Sequence, residues 1–232
     1  MKTIVFDIKG DWGHFRKPYA PVSPVTFPIP PPPTVLGMIG AICGYGKDEY
    51  AEKIGWDRVK IAVSLKAPVK RYRTALNLIN TKSNKFFRLV GEASRSQIPY
   101  EFLKSPSYRI FVAEASDEAM TDLEHYLKKG ATVYTPSLGL AQCLATVSFV
   151  GICPAVLLPA GIQKVTSTIP TAQGLVHYDE GGRYTRFRIP HLMRPDRTVE
   201  KYSEALVEET LQPITVETSN AYRVNDENVL FF

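Results

Sequence analysis

The stretch VTFPIPPPPTVLGMIGAICGYG, residues 25–46, decides how this chain folds. Five prolines lead into a short apolar run that is interrupted by glycines. Because proline fixes φ and removes an amide donor, this run predicts an extended approach to a helix. We predict a short buried helix from Thr34 to Tyr45, with Thr34 as its cap and Gly44 suited to the helix exit. Gly37 and Gly40 each cost about 1 kcal/mol relative to alanine, which favours close packing against a sheet or a ligand.

Length and composition predict one large globular domain or two small ones. Of the 232 residues, 44% are hydrophobic and 22% are charged, which is close to the average of soluble proteins. The three cysteines are widely separated and lack CxxC spacing, so we expect no disulfide framework, no zinc site and a reducing cytoplasm. The apolar helix is shorter than the roughly 20 residues that span a bilayer, and we expect no membrane partner.

Positive charge is concentrated in one segment. Residues 66–109 contain ten Lys or Arg and two Asp or Glu, whereas the whole chain has a net charge of +5. Aromatic residues are interleaved with these cations. Proteins that hold single-stranded nucleic acid use cations to contact the phosphates and aromatic rings to stack on the unpaired bases. The aromatic residues of the segment are Tyr72, Phe86, Phe87, Tyr100, Phe102 and Tyr108. A solvated basic face above core aromatics is the alternative, but nucleic acid is the leading partner class.

Periodicity predicts the order of the elements. Alternating apolar residues indicate strands at Lys2–Lys9, Val59–Leu65, Tyr108–Ala115 and Leu144–Ile152. An amphipathic helix is predicted at Asp117–Lys129, with acids in its first turn, lysines in its last and Gly130 beyond it. Together with the helix after the prolines, these elements follow the order of a ferredoxin-like sheet covered by two helices.

Two further regions are predicted to be strand and turn. Residues 77–84 indicate the tip of a long hairpin or a flexible loop between basic strands. After Pro154 the pattern becomes short strands, with the sequence DEGG at residues 179–182 predicting a hairpin turn. We therefore expect a smaller β-rich subdomain in the last third of the chain.

Three motifs together resemble the Cas-five family of CRISPR-associated proteins. They are FDIKGDWGHFRKPY at residues 6–19, TFPIPPPPTVLGMIGAICG at 26–44 and YTPSLGLAQCLATV at 134–147. The resemblance extends from the first strand to about Ile152, and no motif supports it beyond Pro154. It implies an α+β fold of the repeat-associated RNA-binding superfamily: a ferredoxin-like (RRM-like) palm in residues 1–153, a long basic β-hairpin thumb inserted at about 68–102, and a small β-rich C-terminal subdomain in 154–232.

The resemblance also implies a function. It predicts a non-catalytic subunit of a type I CRISPR Cascade effector complex in antiviral defence, with subtypes I-B and I-D as the candidates. Such a subunit holds the single-stranded 5′ handle of the CRISPR RNA and caps the backbone beside the large subunit. The implied partners are CRISPR RNA, a Cas-seven type backbone subunit, a Cas-eight or Cas-ten type large subunit and, through the complex, target DNA. Neither a cofactor nor a metal is expected.

Site residues follow from placing the family's surfaces on this sequence. The thumb supplies cations for phosphate contacts, which are Arg71, Arg73, Lys82, Lys85, Arg88 and Arg95. The glycine loop, residues 10–19, is similar to part of the handle-binding surface and adds His14, Arg16, Lys17 and Tyr19. Alternatively, Trp12 and Phe15 only cover the end of the sheet. The segment YTRFR at 184–188, with Arg183, Arg194 and Arg197 nearby, predicts an RNA or subunit contact or an exposed strand edge.

A metal-independent endoribonuclease that processes precursor CRISPR RNA is the alternative function. One branch of the family cleaves with a tyrosine and an adjacent lysine and histidine, since attack by a 2′-OH needs a general base and a general acid. This chain has no Lys-His pair, and Tyr45 and His125 are its candidates. No nucleotide-hydrolysis or metalloprotease motif is present in the sequence. We expect no catalytic residue.

Overall fold

A computed structural model describes residues 1–20, 22–79 and 95–232. The described chain is mostly β-sheet with few helices, which confirms the α+β class. Its helices are α1 (Pro32–Cys43), α2 (Tyr50–Ile54) and α3 (Asp117–Lys129), and a 3-10 turn covers Thr171–Gln173. Its strands are β1 (Lys2–Lys9), β2 (Trp12–Gly13), β3 (Phe15–Arg16), β4 (Thr26–Phe27), β5 (Lys60–Leu65), β6 (Arg71–Ile79), β7 (Arg95–Lys104), β8 (Ser107–Ala113), β9 (Thr146–Leu157), β10 (Gly161–Val165), β11 (Ile169–Pro170), β12 (Leu175–His177), β13 (Tyr184–Met193), β14 (Val199–Glu208), β15 (Ile214–Thr218), β16 (Tyr222–Val224) and β17 (Glu227–Val229).

Helix α1 begins two residues earlier than the sequence predicts. Pro32 and Pro33 occupy its first turn, where a fixed φ suits the helix and a missing N–H costs nothing. The Pro31 carbonyl accepts the N–H groups of Thr34 and Val35 at 2.8 and 3.0 Å. Thr34 therefore lies inside the first turn, and its predicted role as the cap is wrong. The helix ends at Cys43 rather than at the predicted Tyr45, and Gly44 caps it with a left-handed φ of 81°, as predicted for the helix exit.

The central sheet has six strands in the order β17-β16-β9-β1-β8-β5. β1 lies in its middle and pairs antiparallel with both β8 and β9, while β5 pairs antiparallel with β8.

No helix among the described residues is long and apolar enough to cross a membrane.

Alternation along β1 divides the core into two layers. Ile4, Phe6 and Ile8 belong to the core that α1 and α3 complete, whereas Val5 belongs to a second core on the opposite face with Phe231. Burying a side chain such as Phe6 stabilises the fold by about 1.5–3 kcal/mol. Both faces of the sheet are therefore covered.

The last third of the chain is joined closely to the first part. β9 continues to Leu157, so the predicted division between residues 153 and 154 falls within a strand. β16 pairs with the end of β9, and Phe187, Ile189 and Phe232 belong to the same core as β1. The remaining strands of this region form two small sheets, β10-β15-β12 and β11-β14-β13.

The predicted hairpin at residues 179–182 is a turn between strands that do not pair. Gly181 has a φ of 81°, and the Gly182 N–H donates to the Asp179 carbonyl at 3.3 Å. However, β12 pairs with β15, whereas β13 pairs with β14. The local signal identified the reversal of the chain correctly, but contacts distant in sequence decide the pairing.

Candidate nucleic-acid interface

β6 and β7 form a long antiparallel hairpin whose two faces differ. Across the strands, Tyr72 pairs with Phe102 and Arg73 with Glu101, and the register continues to Ile79 opposite Arg95. Because side chains alternate along a strand, Arg71, Arg73 and Arg95 project from one face. Lys82, Lys85 and Arg88, together with part of the predicted tip at 77–84, lie outside the described residues.

Arg71 anchors the base of this hairpin. Its guanidinium donates to both carboxylate oxygens of Glu209, which is 3% exposed and also accepts Arg183 at 3.3 Å and the Thr185 hydroxyl at 2.7 Å. Burial opposes ionisation of Glu209, but the bonds from Arg71 and Thr185 outweigh it and lower its pKa. The Val69 N–H also donates to the Glu209 carbonyl at 2.9 Å. The Arg71 guanidinium is therefore already committed to a protein carboxylate.

Arg73 and Arg95 are better placed to meet a ligand. The Arg73 side chain is 81% exposed, and its Nε forms an ion pair with Oε2 of Glu101 at 3.1 Å. Glu101 is buried and also accepts the Thr26 N–H at 3.3 Å. The carboxylate thus directs an exposed guanidinium, and Arg95 lies exposed at the far end of the described hairpin.

His14 does not reach the surface. It is 1% exposed, its Nδ1 lies 2.7 Å from the Glu101 carbonyl, and its ring packs against Tyr100 and Phe102. Burial lowers its pKa, so the ring is neutral at pH 7 and Nδ1–H donates to that carbonyl. A direct RNA contact by His14 is thus corrected to a packing role: it joins the glycine loop to β7.

The rest of the glycine loop has more order than predicted. β2 pairs with β7 and β3 pairs with β4, which fixes the loop against the hairpin. Arg16 is exposed, Tyr19 is 63% exposed, and the Lys17 ammonium lies 5.6 Å from the Phe27 ring centroid. Arg16 and Tyr19 therefore lie exposed, whereas Lys17 is half-buried.

An exposed aromatic pair lies at the base of the hairpin. The rings of Trp12 and Tyr72 are 5.4 Å apart, and both are partly exposed. Lys104 pairs with Trp12 across the strands. Separate parts of the sequence supply these residues, so spacing gave no signal for their contact. Rings next to a lysine can stack on unpaired bases.

The candidate catalytic tyrosine is not activated. Tyr45 is 8% exposed, and its hydroxyl donates to Asp122 Oδ2 at 2.7 Å. Burial and this hydrogen bond raise its pKa, which is opposite to what a general base needs. His125 lies exposed on α3, beside Tyr126. Within the described ranges, no group of three or more His, Cys, Asp or Glu could hold a metal ion.

Comparison with known proteins identifies the class of the fold. A crystal structure of a CRISPR protein from Archaeoglobus fulgidus is similar over 99% of this chain and 98% of its own, with a TM-score of 0.59 and 17% identity. A chain of a CRISPR RNA-guided surveillance complex is similar over 93% of this chain and 91% of its own, with a TM-score of 0.57 and 15% identity. At these low sequence identities, the structural similarity shows the fold alone, and this fold is one found among CRISPR proteins. No curated protein sequence matches the chain.

The family model described as CRISPR-associated protein (Cas_Cas5) matches residues 3–223. The chain therefore belongs to the Cas-five (Cas5) family, and the resemblance drawn from its motifs is confirmed. The match extends well past Ile152, where the recognisable motifs end.

Proposed function

We propose that the chain is a non-catalytic subunit of a type I CRISPR Cascade effector complex, acting in the cytoplasm, with I-B and I-D as candidate subtypes. It binds the 5′ handle of the CRISPR RNA and caps a Cas-seven type backbone next to a Cas-eight or Cas-ten type large subunit, meeting target DNA through the complex. Membership of the Cas5 family supports this role. The observation that carries it is the hairpin face with exposed Arg73 and Arg95, since single-stranded RNA is held through its phosphates.

The same proposal assigns architectural roles. Antiparallel β9, β1, β8 and β5, in that order and with α1 and α3 between them in sequence, form a ferredoxin-like (RRM-like) palm. The β6–β7 hairpin, at about residues 68–102, is its thumb. Residues 154–232 form a β-rich C-terminal subdomain that shares the palm's core. Lys82, Lys85 and Arg88, which lie outside the described residues, remain proposed phosphate contacts.

RNA binding by the full chain tests this function. We expect Arg73→Glu with Arg95→Glu to weaken binding of a labelled single-stranded RNA with the repeat-derived 5′ end at least tenfold. The slope of log affinity against log salt should fall by about 0.7 for each phosphate that the protein no longer neutralises. Arg223→Glu is the matched control, since Arg223 is exposed on β16. Fluorescence anisotropy over several salt concentrations measures both values, and an equal weakening in the pair and the control would contradict the proposal.

Incubation of the protein with precursor CRISPR RNA in EDTA distinguishes the non-catalytic role from the alternative function, a metal-independent endoribonuclease. We expect no discrete cleavage product, because the Tyr45 hydroxyl is held by Asp122. Discrete cleavage that disappears in Tyr45→Phe or His125→Gln would instead establish a ribonuclease.

A further inference from the structure

The strand β9 has an open edge over most of its length. One side of β9 pairs with β1 along residues 146–154. On the other side, within the described part of the chain, β16 pairs with residues 155–157 and no strand pairs with residues 146–153. The unpaired N–H and C=O groups of an exposed edge are a template for a further strand. We call residues 146–153 the β9 edge.

The β9 edge lies in a long uncharged part of the sequence. Residues 130–163 contain no Asp, Glu, Lys, Arg or His. Large apolar side chains are nevertheless exposed there, with Val150 at 41% and Leu144 at 60%. Native proteins often protect an exposed edge with charged side chains, whereas the centre of a protein–protein interface is depleted of charge. The β9 edge therefore has the composition of an interface rather than of a protected surface.

A notch of about 190 Å³ adjoins the start of β9. Its walls include Tyr126 and Leu127 of α3 together with Pro136, Ala145 and Val147, and none of the described residues that line it is charged. The notch is smaller than the range of about 300–1,000 Å³ that holds small-molecule ligands. Side chains that fill such pockets are typical anchors of protein interfaces. The notch therefore fits one apolar side chain of an incoming strand.

Helix α3 adds an electrostatic preference for the incoming strand. β8 and β9 both run antiparallel to β1, so they are parallel to each other, and α3, which connects them, runs the opposite way. Exposed Asp117 and Glu118 lie in its first turn, and exposed Lys128 and Lys129 lie in its last turn, at the notch end. An antiparallel neighbour that carries the same helix would bring its acids towards these lysines. A second copy of this chain meets that condition.

We infer that the β9 edge pairs with the β9 edge of a second copy of this chain, antiparallel about a two-fold axis. Ile152 of one copy then lies opposite Val147 of the other, beside the notch. Both strands are already formed, so their pairing avoids the cost of about 2–5 kcal/mol that ordering a disordered segment carries. The inference goes beyond the proposed function and does not depend on RNA binding by the hairpin.

A proline and a bulge limit this contact to a closed pair. Pro154 lacks an N–H and β16 covers the residues beyond it, so the new ladder stops at residue 153. Val150 is the extra residue of a bulge, because Val5 and Phe6 of β1 pair with the residues on either side of it. When the whole edge is paired, the two bulges meet at the centre and side chains of the same face remain opposite each other. The antiparallel pair uses both edges, which gives a dimer rather than a fibre.

Sedimentation velocity of the full chain without RNA, at increasing protein concentration, tests the pairing. We expect a monomer–dimer equilibrium in the parent chain. Val150→Lys places a charge on the β9 edge and should weaken dimerisation at least tenfold. Val156→Lys is the matched control, since Val156 is 57% exposed on the part of β9 that β16 already covers, and it should stay within about twofold of the parent. A monomer at every concentration, or equal weakening in both variants, would overturn the inference.

Disulfide cross-linking tests the register, also if Val150→Lys fails to fold. Pairing of the whole edge places residue 146 of one copy opposite Cys153 of the other. Directly paired residues have Cα atoms about 4.5–5.5 Å apart, which a disulfide can bridge. Thr146→Cys should therefore form a disulfide-linked dimer on mild oxidation, seen on a non-reducing gel. Thr146→Cys with Cys153→Ser should remain uncross-linked, and a dimer of Thr146→Cys without the disulfide would overturn the inference.

Discussion

At the scale of single residues, neighbouring arginines of one strand have different tasks. Arg71 and Arg73 project from the same face of β6 and are indistinguishable in the sequence. Glu209 lies 138 positions from Arg71, so no local pattern could reveal that it holds this guanidinium. Glu101 leaves Arg73 at the surface. The sequence therefore predicted a cationic face but not which of its cations are free to bind a ligand.

Arg71→Ala tests this division of tasks. We expect it to lower the free energy of unfolding by about 2–3 kcal/mol, because it leaves a buried carboxylate with only Arg183 and Thr185 as partners. Arg73→Ala should cost less, about 1 kcal/mol, because the Arg73 side chain is 81% exposed and donates a single bond to the buried Glu101 carboxylate, which keeps the Thr26 N–H. Urea unfolding measures both values. An equal destabilisation in the two variants would show that Arg71 is not an anchor.

At the scale of elements, agreement with the sequence follows the strength of local signals. The bounds of α3 are those predicted, since acids, lysines, an apolar face and Gly130 all mark the same segment. The start of α1 differed because prolines replace a capping side chain. The turn at Gly181 was found, but the partners of β12 and β13 were not, because pairing depends on distant strands.

Two glycines of α1 give opposite expectations for alanine. Gly37→Ala should raise the free energy of unfolding by up to about 1 kcal/mol through helix propensity. Gly40→Ala should lower it, because its Cβ would lie 2.9 Å from Cβ of Tyr50. Thermal unfolding followed by circular dichroism measures both. A loss of stability in Gly37→Ala would mean that the space above Gly37 is not open.

At the scale of the whole molecule, the first two thirds and the last third share one core. Phe187 and Phe232 pack in the same cluster as Phe6. Both tryptophans, Trp12 and Trp56, precede residue 153, so their fluorescence reports the surroundings of residues in the first two thirds of the chain. We expect this signal and far-ultraviolet circular dichroism to follow one unfolding transition. Two separate transitions would show that residues 154–232 fold independently.

Stability should also fall as the solution becomes acidic. Burial lowers the pKa of His14, and burial with nearby Lys201 lowers that of His191 to about 4. In the unfolded chain both titrate near 6.5, so between about pH 6.5 and 4 the unfolded state binds protons that the native state excludes. We expect the free energy of unfolding to drop across that interval. Urea unfolding at several pH values should show a shallower decline in His191→Gln than in the parent chain.

Glu209 bonds to the base of the β6–β7 hairpin through both its carbonyl and its carboxylate, and this limits which hairpins could be exchanged between family members. The Glu209 carbonyl accepts the Val69 N–H and its carboxylate accepts the Arg71 guanidinium, so both contacts lie at the start of the β6–β7 hairpin. A hairpin grafted from a relative without its own counterpart of Glu209 would lose the contacts that fix its orientation. The direction in which its arginine side chains project would then no longer be determined. We therefore expect an exchanged hairpin to keep its orientation only when the segment around Glu209 is exchanged with it, although 138 positions separate the ion-paired residues.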